Sequence, residues 1–349
     1  MPNASTLKEQ FPKLIIETLG PLTTAIQGVS AVETLKPNTL VFVTEEKDVA
    51  VALASQVACV VTTLNHKKFV EDTPQKAVLF VKNIPLAQAL LTTTLVGRFP
   101  EHAKNLVGIH PTAVISSKTK IPSSVTVGPY AVIGEDVQIG ENAIIGAHVV
   151  LENRVKVGAR THLHPHVVVI YDCVIGDDCV LHPHTTIGSE GYGFGHDEKG
   201  HAHRIPQLGN VVIENRVELG SHCSVDRATY GSTRIGEGTK TDNYVHFGHN
   251  STVGKNCILA YGFGLAGSSH LGDHVLSGGR TSVTDHVRVA SGVRFGGLSA
   301  ISKDITEPGD YAGYPLQKVR DHLKTTASLP HLPEMRLELA RLAEKLKDK

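Results

Sequence analysis

Between Ile109 and Ile187 every sixth residue is aliphatic: Ile109, Ile115, Ile121, Val127, Ile133, Ile139, Ile145, Leu151, Val157, Leu163, Val169, Ile175, Leu181 and Ile187. Four residues after each anchor up to Leu181 stands Ala, Val, Thr or Cys, as at Ala113, Thr119, Val125 and Cys173. A fixed period sustained this long is a repeat signature and decides the fold before local propensity does. Each step is about two pleats long, enough for a short strand and a turn. Three strands close one triangular coil of about 18 residues, and coils stack at the inter-strand spacing of roughly 4.8 Å. The pattern predicts a parallel β-helix prism with the anchors inside.

The register breaks after Gly188, at residues 189–211, a Gly- and His-rich stretch. A long loop inside a compact repeat is usually functional. Hexads resume at Ile213, Leu219 and Val225, and four extra residues push the next anchor to Ile235. Later anchors run from Phe247 to Ile301, with polar residues at two slots, Thr241 and Ser277. The loop 189–211 and Thr241 are read as places where the repeat yields to function, and both polar slots argue against an inert prism. Residues 1–105 lack the hexad. Apolar runs at 39–43 and 58–62 predict strands, and segments 7–19 and 48–55 predict helices, together a small α/β domain. The prism is expected over 106–314. Residues 315–349 read as a helix with Met335, Leu339, Leu342 and Leu346 on one seam, a spacing that suits either a bundle in a trimer or a helix packed on its own prism.

Composition narrows the function. The chain of 349 residues carries 34 basic and 34 acidic side chains, so no net field favours nucleic acid or an anionic membrane. The first residues lack the apolar run of a signal peptide, and no stretch is apolar for long enough to span a bilayer. The expectation is a cytoplasmic protein with no transmembrane segment. Cys173, Cys179, Cys223 and Cys257 fill the small-residue slot of a hexad and read as apolar filler rather than disulfides or ligands.

The period also serves as a ruler. Residues 18 apart in an unbroken register stack one above the other, so His249 lies under Gly267, and Asn250, Ser268 and His286 form the next lane. A histidine beside a bare glycine amide combines a base with an oxyanion donor. The competing reading is a solvated turn histidine. His148, His166 and His184 also recur at 18, with His164 under His182. Such ladders admit zinc, but no carboxylate stands beside them at a readable spacing, and no metal is expected.

Four stretches carry a resemblance: 191–227 (from GYGF through HAHRIPQLGNVVIENRVELGSHCSVDR), 241–254 (TDNYVHFGHNSTVG), 266–272 (AGSSHLG) and 305–317 (ITEPGDYAGYPLQ). The chain resembles the UDP-3-O-acylglucosamine N-acyltransferases of lipid A biosynthesis, over roughly residues 105–325. Hexads alone fit many sugar acyltransferases; the loop and the GHN element are specific. The resemblance implies a mainly β fold, a left-handed parallel β-helix between a small N-terminal α/β domain that binds uridine and a C-terminal helix. Left-handedness comes from the resemblance alone and runs against the usual right-handed crossover.

The resemblance further implies that His249 is the general base, taking a proton from the 2-amino group of UDP-3-O-acylglucosamine as it attacks a thioester. The (3-hydroxy)acyl chain rides on the phosphopantetheine of acyl carrier protein, so no cofactor is bound. Gly267 matches the oxyanion donor, Asp242 and Asn243 match positions near the site, and His286 matches the family's second histidine. Asp242 is read as orienting His249 or as a plain turn carboxylate. Phe42 stands one residue out of step with the family's uracil-stacking phenylalanine, a shift that turns a strand side chain to the other face. Ala300 stands where the family can carry a bulkier residue at the end of the acyl groove, which predicts a longer acyl chain. Lys303, Lys318, Arg320 and Lys324 read either as a basic landing site for the acidic carrier protein or as plain solvated surface charge. The family is a homotrimer. Two other readings are another hexapeptide-repeat sugar O-acyl- or acetyltransferase, against which the loop and N-terminal domain argue, and a non-enzymatic β-helical scaffold.

Overall fold

The computed structural model describes residues 1–70, 75–97, 108–312 and 319–347, without the side chains of 319–322 and 347. The chain divides into two compact units, Met1–Asn105 and Leu106–Lys349.

In the first unit, α1 (Ala4–Gln10), β1 (Ile15–Leu19), β2 (Val29–Ser30), β3 (Leu40–Phe42), α2 (Glu46–Ala54), β4 (Cys59–Thr62), β5 (Ala77–Val81) and α3 (Ile84–Val96) follow in order. The strands form one sheet, β1-β5-β4-β3-β2, with β1 antiparallel to β5 and the other pairs parallel. The helix read over 7–19 is half helix and half strand. Pro12 lacks the N–H a helix needs and drives its predecessor out of the helical region, so the chain leaves α1 and enters β1. β3 to β5 are apolar on both faces, as covered parallel strands are. Leu40, Phe42, Cys59 and Val61 pack in one core, while Val41, Val43, Val60 and Val78 pack in the other. Strand parity sends Phe42 into the first of these, where it is 8% exposed. It is a core residue, and no open face of its ring is left to stack on a base.

The second unit is the prism. Each coil runs through a ten-stranded first face (as at Ile144–Ile145), a ten-stranded second face (Val150–Leu151) and an eight-stranded third face (Lys156–Val157), all parallel. The register matches the ruler: Ile144 pairs with His162, and His162 with Val180. Across the long loop Val174 pairs with Val212, and across the four extra residues Glu218 pairs with Lys240. Both insertions therefore loop out at a corner and leave the stack intact. The anchors and small residues fill one continuous core.

From Tyr130 on, most corners turn through a residue with positive φ, such as Asp136, Asn142, His148, Asn250 and His286. A left-handed residue costs roughly 1–2 kcal/mol, least for Asn and Asp, whose side chains bond locally, and His is also enriched there. This explains why corner positions are rich in these residues. Where the small slot holds a hydroxyl, it bridges coils: Thr239 Oγ1 donates to Gly254 O (2.8 Å) and accepts from Cys257 N (3.1 Å). Thr241, an anchor read from the sequence as a concession to function, bridges coils in the same way. Its buried Oγ1 accepts from Gly220 N at 3.1 Å. Ser277 likewise donates to Gly278 O at 2.8 Å. Both polar anchors are satisfied core positions.

The C-terminal region is two helices, α4 (Val319–Ser328) and α5 (Leu332–Lys347), joined by a single 3-10 turn, Leu329–His331. Pro330 and Pro333 interrupt the single helix expected from the seam. Met335, Leu339, Leu342 and Leu346 on α5 are all at least half exposed.

Candidate active site on one prism edge

The three edges differ in chemistry. The edge after the first face carries a column of stacked rings, Tyr130, His148, His166, His184, His222 and Tyr244, with neighbouring centroids 4.8–5.1 Å apart. The rings are nearly parallel, so their lone pairs do not converge on one point. Among the described residues no group of three or more His, Cys, Asp or Glu is placed to hold a metal ion. The edge after the third face carries stacked charges such as Arg160 on Asp178. The edge after the second face carries His249.

His249 and Asn250 form the turn after the strand His246–Phe247. Asn250 has φ 60°. Its Nδ2 donates to Tyr230 O (3.0 Å) and its Oδ1 accepts from Thr229 N (2.9 Å), which fixes the amide orientation. That same Oδ1 lies 3.1 Å from His249 Nδ1. A carbonyl oxygen only accepts, so Nδ1 carries the proton and Nε2 of a neutral ring keeps its lone pair. The imidazole sits in a slot between two glycines. A β-carbon on Gly267 would stand 2.7 Å from Nε2, and one on Gly191, in the long loop, 2.5 Å from the His249 β-carbon. The Gly267 carbonyl accepts from His286 N at 3.2 Å. Its own N–H donates no hydrogen bond among the described residues.

His249 and Gly267 line a cavity of about 560 Å³ with His286, Asp226, His246 and, from the loop, Tyr192. Its wall on the second face is the outward column His246, Gly264 and Ser282, one residue per coil, and the column continues to Ala300. Small side chains leave this column open as a groove above the histidines. Ala300 stands at its end, exposed, beside a further hollow of about 300 Å³.

Asp242 and Asn243 are elsewhere. They turn the ring-bearing edge beside Tyr244; Asp242 Oδ1 accepts from Asn243 N and Asn243 Oδ1 accepts from Ser221 N, both at 2.7 Å. Neither lines the cavity of its own chain, so Asp242 does not orient His249 there. The buried carboxylate at the cavity is Asp226, from the strand Ser224–Asp226. It is 6% exposed, accepts from Ser189 Oγ at 2.8 Å, and lies 3.6 Å from His246 Nε2. Burial pushes its pKa up, against the opposing pull of His246, the Ser189 hydroxyl and His249. Sequence reasoning passed over Asp226, although the ruler reaches it: corrected for the four extra residues, 226 stacks beneath 248. His246, Gly191 and Tyr192 were missed as well, the last two because a loop outside the repeat has no register.

The loop is pinned at its root. Arg227, 1% exposed, donates from Nε and Nη2 to Gly209 O at 2.8 and 2.6 Å, and its guanidinium lies 3.7 Å over the Tyr171 ring. Of the proposed landing residues, Lys303 and Lys324 are exposed. Lys318 and the Arg320 side chain lie outside the described residues. No helix among the described residues is long and apolar enough to cross a membrane.

Known proteins resemble the chain in its repeats and in its sequence. A family model, bacterial transferase hexapeptide (six repeats), matches residues 118–153, 154–189 and 232–262. The prism is a parallel β-helix of hexapeptide repeats. A UDP-3-O-acylglucosamine N-acyltransferase of Methylococcus capsulatus is 42% identical over 97% of this chain and 96% of its own length. A probable mitochondrial UDP-3-O-acylglucosamine N-acyltransferase 2 of Arabidopsis thaliana is 44% identical over 40% of this chain and 45% of its own. Among solved structures, an Arabidopsis UDP-N-acetylglucosamine acyltransferase aligns with 60% of this chain and 70% of its own, at 24% identity and a TM-score of 0.49.

Proposed function

This chain belongs to the UDP-3-O-acylglucosamine N-acyltransferases of lipid A biosynthesis, and on that premise we propose that His249 is its general base and an acyl carrier protein thioester its donor. The slot that holds His249 between Gly191 and Gly267, with Nδ1 bound to Asn250, is the observation that carries this reading. The 2-amino nitrogen of the glucosamine attacks the thioester carbon. Nε2 takes a proton from that nitrogen as the bond forms and passes it to the departing pantetheine sulfur. The Gly267 N–H, free of other partners, donates to the oxyanion of the tetrahedral intermediate. A thioester is already activated, so these residues need no covalent intermediate.

The groove over Gly264, Ser282 and Ala300 suits the acyl chain, and His286 at the cavity's far wall suits the thioester arm. Exposed Lys303 and Lys324 suit an acidic carrier protein. We assign uracil to residues 1–105 by resemblance, with a platform other than Phe42. A homotrimer in the cytoplasm fits the exposed apolar seam of α5, and a neighbouring copy is where Asp242 and Asn243 would act. The test offers the purified protein UDP-3-O-acylglucosamine with acyl carrier protein or coenzyme A thioesters. Transfer to nitrogen from the carrier protein, abolished in His249→Ala with a trimeric mass retained, is the expected result. Near-normal turnover by His249→Ala would remove the base assignment, and equal use of coenzyme A would remove the donor assignment.

A further inference from the structure

We propose that Asp226 is a second acid–base group of this site, taking one proton from the substrate ammonium before His249 takes the other, with His246 as the outlet to solvent. The step rests on the N-acyl transfer proposed above.

The need comes from proton counting. An aliphatic amine arrives near neutrality largely as ammonium (α-amino groups titrate near pH 8). Turning R–NH3+ into a secondary amide removes two protons from one nitrogen. His249 accounts for one, which the leaving sulfur then consumes. The other must reach solvent by a different path, because an imidazolium already holding it cannot act as base.

Two carboxylates line the cavity, Asp226 and Asp285. Asp285 is exposed. Asp226 is buried, so its charge attracts an ammonium with little screening. Every titratable or polar group shown to face it is accounted for: Ser224 on its own strand, Ser189 on the coil below, and His246 and His249 on the coil above. Burial makes this carboxyl a stronger base than a surface aspartate. The His246 side chain is 51% exposed and reaches to 3.6 Å from Asp226 Oδ2. It thus has one end at the carboxylate and the other in water.

The sequence balances. Asp226–COO− takes a proton from R–NH3+, leaving the free amine and Asp226–COOH. The amine lone pair forms the C–N bond as the thioester π pair moves to oxygen, and His249 takes the second nitrogen proton. Collapse breaks the C–S bond, and the sulfur leaves with the His249 proton. Asp226–COOH returns its proton through His246 to water. The net change is ammonium plus thioester to amide, thiol and one released proton.

Initial rates of acyl transfer to UDP-3-O-acylglucosamine, between about pH 6 and pH 9.5, test this for the wild type, Asp226→Asn, Asp226→Glu, His246→Gln and His249→Ala. Asp226→Asn should lose roughly 10²-fold at the acid end, within the usual range for general-base catalysis, and recover most of it where the amine is already free. Asp226→Glu should restore acid-side rate, and His246→Gln should show a smaller acid-side loss. His249→Ala should stay low at every pH. A pH-independent loss in Asp226→Asn, or no loss at all, overturns the proposal while leaving His249 untouched. A wild type that transfers nothing to nitrogen overturns the function itself, and this step with it.

Discussion

The His249 ring lies against the bare α-carbon of Gly267, so close that a β-carbon there would come within 2.7 Å of Nε2. Gly267 is not among the residues of positive φ, so alanine fits its backbone, and the clash is with the imidazole alone. Gly267→Ala should therefore fold normally and lose roughly 10²–10³-fold in kcat, the size seen when oxyanion-hole geometry is lost. Gly292 makes the control: at φ +74°, on the edge after the third face, with only Pro308 Cβ nearby at 3.6 Å. Gly292→Ala should lower stability by about 1 kcal/mol and leave kcat unchanged. Steady-state kinetics beside thermal melts separates the two, and equal kcat values would remove the steric argument.

The amide of Asn250 sets which imidazole nitrogen is the base, and two substitutions isolate that effect. Asn250→Ala loses the acceptor for Nδ1–H together with the bonds to Thr229 and Tyr230. Asn250→Asp keeps an acceptor for Nδ1–H and for Thr229, and Asp tolerates the left-handed turn, but it cannot donate to Tyr230 O. Both should melt early. Asn250→Ala should fall roughly 10²-fold in kcat, whereas Asn250→Asp should retain most of it. If the two lose kcat alike, Asn250 only shapes the turn.

These contacts show where sequence reasoning holds and where it stops. A hexad is a local rule with a long-range consequence, so Gly267 against His249 follows from counting, and the stacking survives both insertions because they leave the prism at corners. Asp242 was placed near the site by resemblance. The count gives height along the prism at once, but the edge only if each turn is followed, and Asp242 turns one corner before His249 does. Thr241 misled because a polar anchor looks like an exception until its hydroxyl is seen accepting from Gly220. Phe42 was placed by resemblance, and the parity of β3 buries it. Gly191 and Tyr192 reach the site from a loop that no period describes.

Ala300 ends the open column that starts at His246, three coils or roughly 14 Å away at the inter-strand spacing. Filling it should shorten the acyl chain the enzyme prefers. Ala300→Met puts a long apolar side chain across the groove above Ser282. Each methylene that loses its seat forfeits about 0.8 kcal/mol, roughly fourfold in affinity. Competition between acyl carrier proteins loaded with different chain lengths should show a shift to shorter chains with little change in kcat for the shortest. An unchanged preference would place the end of the groove elsewhere.

Asp226 also links function to stability. Its pKa is raised in the folded protein because burial disfavours the charged carboxylate. The folded state then holds its proton to higher pH than the unfolded chain does. This group thus contributes nothing adverse below the unfolded carboxyl pKa, and its ionisation erodes stability as pH rises through the folded value. The substitution Asp226→Asn removes that charge at every pH, and the new amide oxygen could still accept from Ser189 Oγ. Asp226→Asn should therefore melt higher than wild type at neutral pH, with the gap closing as pH falls into the ordinary carboxyl range, while its activity near neutrality drops. Melting curves across that range check the sign. A variant less stable at neutral pH, or a gap that widens in acid, would show that Asp226 is held by its partners more strongly than burial opposes it.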